Sequence, residues 1–161
     1  MIGFLQRLFV RGEPALSEAT IRDATAIAVL HGASFRRGWS DGEIERLLIE
    51  RNTVCHRATV GRTLCGFILS RLAAGEAEIL SVAVTQARRG RGLARALLNL
   101  HLRRLAGLGA SAVFLEVDED NEPARRLYSR AGFREVGRRP AYYQKAPGAP
   151  ATALVLRRDL V

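Results

Sequence analysis

Lysine is nearly missing from this chain. Among its 25 basic residues only Lys145 is a lysine, and the arginines are strewn from Arg7 to Arg158. A domain that reads nucleic acid gathers its charge on one face or stripe. Scattered charge argues against a DNA-binding module, so no direct DNA contact is expected. Cysteine is scarce too, with Cys55 and Cys65 standing alone on predicted strands. Without a Cys-x-x-Cys pair, no zinc or other metal site is expected. Two isolated cysteines suit a reducing cytoplasm, where they pack as small hydrophobes. His31, His56 and His101 lack the spacing of a metal site or a catalytic triad, and are read as structural or exposed. No apolar run reaches the ~18 residues of a membrane span. The opening MIGFLQRLFVRG is only mildly amphipathic, and its apolar stretches are too short for a signal sequence. Residues 1–14 are read as an N-terminal extension.

What is present suits one globular domain over residues 15–161. Hydrophobic residues make up 48% and mean hydropathy is +0.00. The net charge of +9 and pI near 11.0 favour an anionic partner, either a cofactor or, as the alternative, an RNA or ribosomal surface. A short first strand is expected within 15–22. A helix follows over 23–35, with Ile27, Leu30, His31 and Phe35 near helical spacing. Ser40 and Glu43 form a capping box for a second helix ending near Arg51. Residues 54–60 and 64–72 read as a hairpin around Gly61-Arg62, and 76–84 as the next strand. A helix over 92–108 and a strand over 112–117 come next. Asp120 or Asn121 then caps a short helix stopped by Gly132. Residues 133–136 and 142–145 look extended, PGAP at 147–150 reads as a rigid turn, and 152–158 is a last strand. The order is α+β.

The densest signal lies in Glu78 to Arg95, EILSVAVTQARRGRGLAR. A β-branched strand runs into an Arg/Gly turn that opens a helix. Helix N-termini carry unpaired N–H groups and the positive end of the dipole, which favours an anion. Gly90 and Gly92 let a phosphate reach the main chain, and Arg88, Arg89, Arg91 and Arg95 add charge. A dinucleotide fingerprint fails because Arg95 stands where a small residue must pack, and a P-loop fails for want of Gly-Lys-Ser/Thr.

Arg89-Gly90-Arg91-Gly92-Leu93-Ala94 resembles the (Q/R)xxGx(G/A) pyrophosphate loop of the GNAT superfamily of N-acetyltransferases. Leu115-Glu116-Val117, Asn121, Ala124, Leu127-Tyr128 and Gly132-Phe133 look like the second half of that core. Phe35-x-x-x-Trp39-Ser40, Glu76 to Leu80, and Arg138-Arg139-x-x-Tyr142-Tyr143 resemble marks of its RimI-type members. The resemblance covers residues 16–160. It implies a mixed, mostly antiparallel sheet, splayed in the middle, with helices on both faces. It also implies acetyl-coenzyme A as co-substrate.

By that resemblance Glu116 is the general base, acting through water. It is the only charged residue in 112–117, and the plain alternative is a carboxylate paired with an arginine. Tyr128 would be the acid that protonates the departing thiolate; otherwise it is a core tyrosine beside Leu127 and Ala131. Val82, Ala83 and Val84 would offer backbone groups to the pantetheine arm and polarise the thioester carbonyl. Arg89, Gly90, Arg91, Gly92, Leu93, Ala94 and Arg95 would hold the pyrophosphate, mostly by N–H. Asn121 would touch the cofactor while capping its helix. Phe35 and Trp39 would border the acceptor groove opposite Tyr142 and Tyr143, although Phe35 and Trp39 are also i,i+4 and could instead be core. Glu76 and Glu78 would assist deprotonation, attract a basic peptide, or make salt bridges. Ala94 replaces a commoner glycine, and Thr85-Gln86 lacks a proline often found after the strand.

The acceptor implied is the N-terminal amine of a protein, an alanine-first ribosomal protein for the RimI type. An α-amino group has a pKa near 7.7–8.0 against about 10.4 for lysine, so a modest base suffices. The alternatives are lysine or small-amine acetylation, or a silent coenzyme A-binding module on a ribosome or tRNA-modifying complex. A cytoplasmic monomer or weak dimer without membrane contact is expected.

Overall fold

Thr20 and Asp23 start the first helical segment. The Asp23 carboxylate accepts from the Thr20 N–H at 2.7 Å, capping a 3-10 turn over Ile21–Asp23, and also pairs with Arg57. The computed structural model describes residues 12–146 and 149–160, and for 141–146, 149 and 150 the backbone alone. Most of the expected N-terminal extension, and Pro147-Gly148 of the expected turn, lie outside the described residues.

Helix α1 (Ala24–Ser34) buries Ala24, Ile27, Ala28 and His31, which recur at helical spacing on one face. It ends where Phe35 turns extended, at φ −127° and ψ 149°. Helix α2 (Asp41–Ile49) opens with the expected capping box. Glu43 N–H donates to Ser40 Oγ at 3.2 Å, and Ser40 N–H donates to Glu43 Oε2 at 2.7 Å. Thr25 donates its hydroxyl to Asp41 Oδ2 at 2.9 Å, tying the two helix starts together.

The strands are β1 (Ala15–Glu18), β2 (Thr53–Val60), β3 (Thr63–Ala73), β4 (Glu76–Val84), β5 (Ala112–Asp118), β6 (Arg134–Ala146) and β7 (Ala149–Asp159). Hydrogen-bonded neighbours in the seven-stranded sheet run β1-β2-β3-β4-β5-β7-β6. Helix α3 (Leu93–Gly107) links β4 to β5, which is parallel to it, as such a crossover requires. Helix α4 (Glu122–Arg130) links β5 to β6. The β4–β5 register runs from Glu76↔Ala112 to Ile79↔Leu115, while the two strands continue to Val84 and Asp118. This is the expected splay. β5 keeps β7 along its whole length, from Ala112↔Asp159 to Asp118↔Ala153.

The chain forms two compact units. The first holds residues through Leu69 together with Ser81–His101; the second holds Ser70–Leu80 and Leu102–Val161. Ile27, Ile44, Phe67, Leu97 and Leu98 form the centre of the first, and Leu105, Val113, Leu115 and Leu154 that of the second. Within the first, His56 of β2 and His101 of α3 meet Nδ1 to Nδ1 at 2.7 Å, both buried. All three histidines are therefore structural and none is exposed. Cys55 and Cys65 are free and buried, and burial, helped by Asp23, pushes the Cys55 thiol up to about 12. Among the described residues no helix is long and apolar enough to cross a membrane.

Two expectations change. The extended pieces 133–136 and 142–145 are one strand, β6, whose register slips between Glu135 and Gly137, between Arg139 and Tyr143, and between Gln144 and Ala146. Pro140 lies in the second slip, because it has no N–H to give the ladder. Ala149 and Pro150, expected in the turn, instead open β7 opposite Ala146 and Gln144.

Candidate active site

In the first unit the chain leaves β4 through a 3-10 turn, Gln86–Arg88, and reaches the glycine-arginine loop. Gly90 and Gly92 stand at φ +76° and +81°, a conformation that glycine adopts cheaply. A Cβ on either would meet nothing within 4 Å. Packing therefore does not demand these glycines; they keep main chain bare beside open space. Helix α3 starts at once, with Ala96 N–H donating to the Gly92 carbonyl at 3.0 Å. Its first N–H groups have no intrahelical acceptor and carry the positive end of the dipole.

Arg89, Arg91 and Arg95 are exposed around this start, while Leu93 is buried and Ala94 half-buried. Arg89 Nε donates to the Val84 carbonyl at 3.1 Å, bracing the loop against the end of β4. Ala83 and Val84 are buried and Val82 half-buried. Arg88 corrects an expectation. It does not charge the loop: it is buried, and its Nη1 donates to the Gly12 carbonyl at 3.0 Å. The 3-10 turn aims it inward, where a guanidinium can serve a main-chain carbonyl.

Also in the first unit, Phe35 and Trp39 come together around His31. Their rings lie 4.5 and 4.3 Å from the imidazole.

In the second unit Glu116 is half-buried on β5, and Arg139 Nη1 of β6 lies 2.9 Å from its Oε1. The carboxylate thus has the arginine partner weighed as the plain alternative, and a water-borne base role is compatible with that pair. Asn121 caps α4, its Oδ1 accepting from Ala124 N–H at 3.3 Å. That contact uses the carbonyl oxygen and leaves the amide nitrogen as a separate donor. Tyr128 is buried, with its ring edge-on to Phe133 at 5.6 Å. Burial pushes its phenol up to about 12, so it holds its proton at neutral pH.

Glu76 and Glu78 lie on one face of β4 opposite Ala112 and Phe114, half-buried and exposed respectively. Tyr143 pairs with Ala151 through the backbone; the side chains of Tyr142 and Tyr143 lie outside the described residues. An open cleft of about 490 Å³ in this unit, with Arg125, Arg126 and Phe133 among its lining, includes neither Glu116 nor Tyr128. Among the described residues no group of His, Cys, Asp and Glu is placed to hold a metal ion.

In the sequence Arg139 has only a place in the Arg138-Arg139-x-x-Tyr142-Tyr143 string, and His31 is read as structural or exposed. Arg139 reaches Glu116 across β7, where Glu116 faces Val155, Val155 faces Gly137, and Arg139 faces Ala153. No local spacing announces that path. His31 had a visible signal, its helical spacing to Phe35.

The splayed sheet and the glycine loop opening α3 define an acetyltransferase architecture. Residues 24–133 match the model of the acetyltransferase (GNAT) family, and the chain belongs to that family. The N-alpha-acetyltransferase RimI of Mycobacterium tuberculosis is 34% identical over 125 residues, covering 75% of this chain and 75% of that protein. The ribosomal protein bS18-alanine N-acetyltransferase of Haemophilus influenzae is 33% identical over 109 residues, covering 68% and 67%. Other relatives are longer. The chain spans 33% of an uncharacterized protein of Mycobacterium leprae, at 37% identity, and 22% of a mycothiol acetyltransferase of Parafrankia, at 44% identity over 71 residues. The crystal structure of the Escherichia coli ribosomal-protein-S18-alanine N-acetyltransferase superposes with a TM-score of 0.85 at 23% identity, over 92% of this chain and 94% of that one. That last likeness is one of fold.

Proposed function

We propose that this chain transfers an acetyl group from acetyl-coenzyme A to the α-amino group of a protein, with an alanine-first ribosomal protein as acceptor. One observation carries the reading: two left-handed glycines, bare where a Cβ would stand, lead directly into a helix N-terminus ringed by exposed arginines. A pyrophosphate suits that cradle. Residues Arg89 to Arg95 hold it by main-chain N–H and charge, and Asn121 adds its amide. The backbone of Val82, Ala83 and Val84 lines up the pantetheine arm and polarises the thioester carbonyl.

The chemistry is direct transfer. The neutral amine attacks the carbonyl, a C–N bond forms and the C–S bond breaks. Glu116 takes the amine proton through water, keeping its pair with Arg139. Tyr128 gives its proton to the thiolate as it leaves. The substrate peptide is basic and the chain carries +9, so Glu76 and Glu78 supply local attraction against a repelling mean field. The acceptor class rests on the names of the two relatives that match at comparable length. The partial match to mycothiol acetyltransferase supports a second reading, in which the acceptor is a small molecule.

The test is mass spectrometry of a peptide panel incubated with the protein and acetyl-coenzyme A. The panel carries free and blocked N-termini, with and without lysine, plus a small amine. Acetylation confined to free alanine-first peptides is the expected outcome. Acetylation of lysine or the small amine alone would overturn the acceptor while keeping the donor.

A further inference from the structure

The turn between α1 and α2 is organised by one buried side chain. His31 is 4% exposed. Trp39 stacks on its imidazole at 4.3 Å with the ring planes 13° apart, and Phe35 lies tilted beside it at 4.5 Å. Phe67 of β3 adds a third ring at 6.4 Å. The main chain is held by the same residue: Trp39 N–H donates to His31 Nδ1 at 3.2 Å. Phe35 N–H donates to the His31 carbonyl at 3.0 Å. The turn also folds back onto α1 closely enough that a Cβ on Gly38 would stand 3.0 Å from Gly32 Cα. These contacts all lie within the first unit.

We propose that His31 is a positioning residue for the acceptor: its neutral imidazole, stacked on Trp39 and accepting the Trp39 N–H, holds the 35–39 turn in the shape that receives the first residues of the acceptor peptide. The proposal rests on the acetyltransferase reading given above, which puts Phe35 and Trp39 at the acceptor groove.

The hydrogen bond dictates the protonation state. Nδ1 accepts, so the ring's single proton sits on Nε2. A second proton must go to Nδ1, where it would point at the Trp39 N–H and abolish the bond. An imidazolium can still stack on indole, so acid removes the backbone tether before it removes the ring contact. Burial holds the His31 pKa below its ordinary value, and Glu43 of α2 pulls the other way. Arg37 and Arg46 lie near Glu43 and offset it, while β3 presents the apolar Phe67. The neutral form therefore prevails at neutral pH, and the tether is lost as pH falls.

The chain offers a built-in probe, because Trp39 is its only tryptophan. Its emission, followed from pH 8 to pH 5, reports protonation of the stacked imidazole. The expected result is a change in intensity with a midpoint below the ordinary histidine value of about 6.5, absent in His31→Phe and His31→Asn. Phenylalanine keeps a ring against Trp39 but offers no acceptor. Its KM for the acceptor peptide should rise about tenfold at pH 8, with kcat and the KM for acetyl-coenzyme A within about twofold. Asparagine places a carbonyl near the position of Nδ1 without titrating. It should restore most of the acceptor KM and flatten that KM's rise at low pH.

Peptide acetylation with a pH-independent Trp39 emission, or with an acceptor KM that His31→Phe leaves unmoved, overturns the proposal alone. A clear emission titration with no peptide amine acetylated overturns peptide positioning together with the reading it rests on.

Discussion

The two compact units contribute different kinds of atom. The first offers the bare main chain of Gly90 to Arg95, the backbone of β4 beyond Ser81, and the ring cluster around His31. None of these needs to exchange a proton with substrate. The second offers side chains that do so on the proposed function: Glu116 with its arginine partner, and Tyr128 with its shielded phenol. There the glycine loop recognises, and Glu116 and Tyr128 react. Substitutions should then separate by constant, with the glycine loop moving affinity and the two reacting side chains moving kcat.

The largest effect should come from Tyr128→Phe. The ring and its contact with Phe133 remain, and only the hydroxyl goes. Turnover should fall about 100-fold or more, as expected for loss of a general acid, with little change in either KM. Steady-state kinetics at pH 8 decide it. Glu116→Gln should fall less at high pH than at low pH, since at high pH the α-amine is already neutral. A Tyr128→Phe enzyme that turns over normally, or loses only affinity, breaks the comparison.

Gly92→Ala probes the other side. The new Cβ meets no protein atom, so the fold accepts it at the cost of a left-handed alanine, about 1–2 kcal/mol. Gly109 is the matched control. It ends α3 at φ +91° and also has nothing within 4 Å of a Cβ. Both variants should lose similar stability in urea denaturation. Only Gly92→Ala should weaken coenzyme A, by about tenfold in Kd measured calorimetrically, because only there must a ligand reach the main chain. Equal coenzyme A affinity in the two variants would remove the loop from the binding site.

How much of this was legible follows from how far apart the determining residues stand in the chain. The Ser40–Glu43 capping box, the Asn121 cap and the glycine loop involve neighbours a few positions apart, and each forms where it was read. The strand 76–84 was equally plain, since its punctuation is local. What escaped depends on tertiary approach. Arg88 looks like its loop neighbours in composition, and only the aim of the 3-10 turn sends it to Gly12. Glu116 and Arg139 meet across an intervening strand whose register slips. β6 reads as two pieces because Pro140 falls between them, at a slip where a residue without an N–H leaves the ladder of this edge strand.

His56 and His101, 45 residues apart, were equally invisible as a pair. They supply the mildest prediction, one without consequence for turnover at pH 8. Burial first, and then the neighbouring His56, hold the His101 imidazole down near 3. Unfolded, the same group takes its proton near 6.5. Between these values the unfolded chain binds more protons than the folded one, so stability falls as pH drops, by at most about 1.4 kcal/mol per unit for this group. Above pH 7 both states are neutral and the slope vanishes. His101→Leu should cost about 1–3 kcal/mol at pH 8, because it strips a hydrogen-bond partner from a buried ring. It should also flatten the acid limb in urea melts between pH 6.5 and pH 4. The contrast with His31 sharpens the division further. Both rings are buried in the first unit, but the His101 pair joins β2 to α3, so its titration should register in global unfolding. The His31 ring braces a turn, so its titration should register in Trp39 emission and acceptor KM. An acid limb of unchanged slope in His101→Leu would assign that limb to other groups.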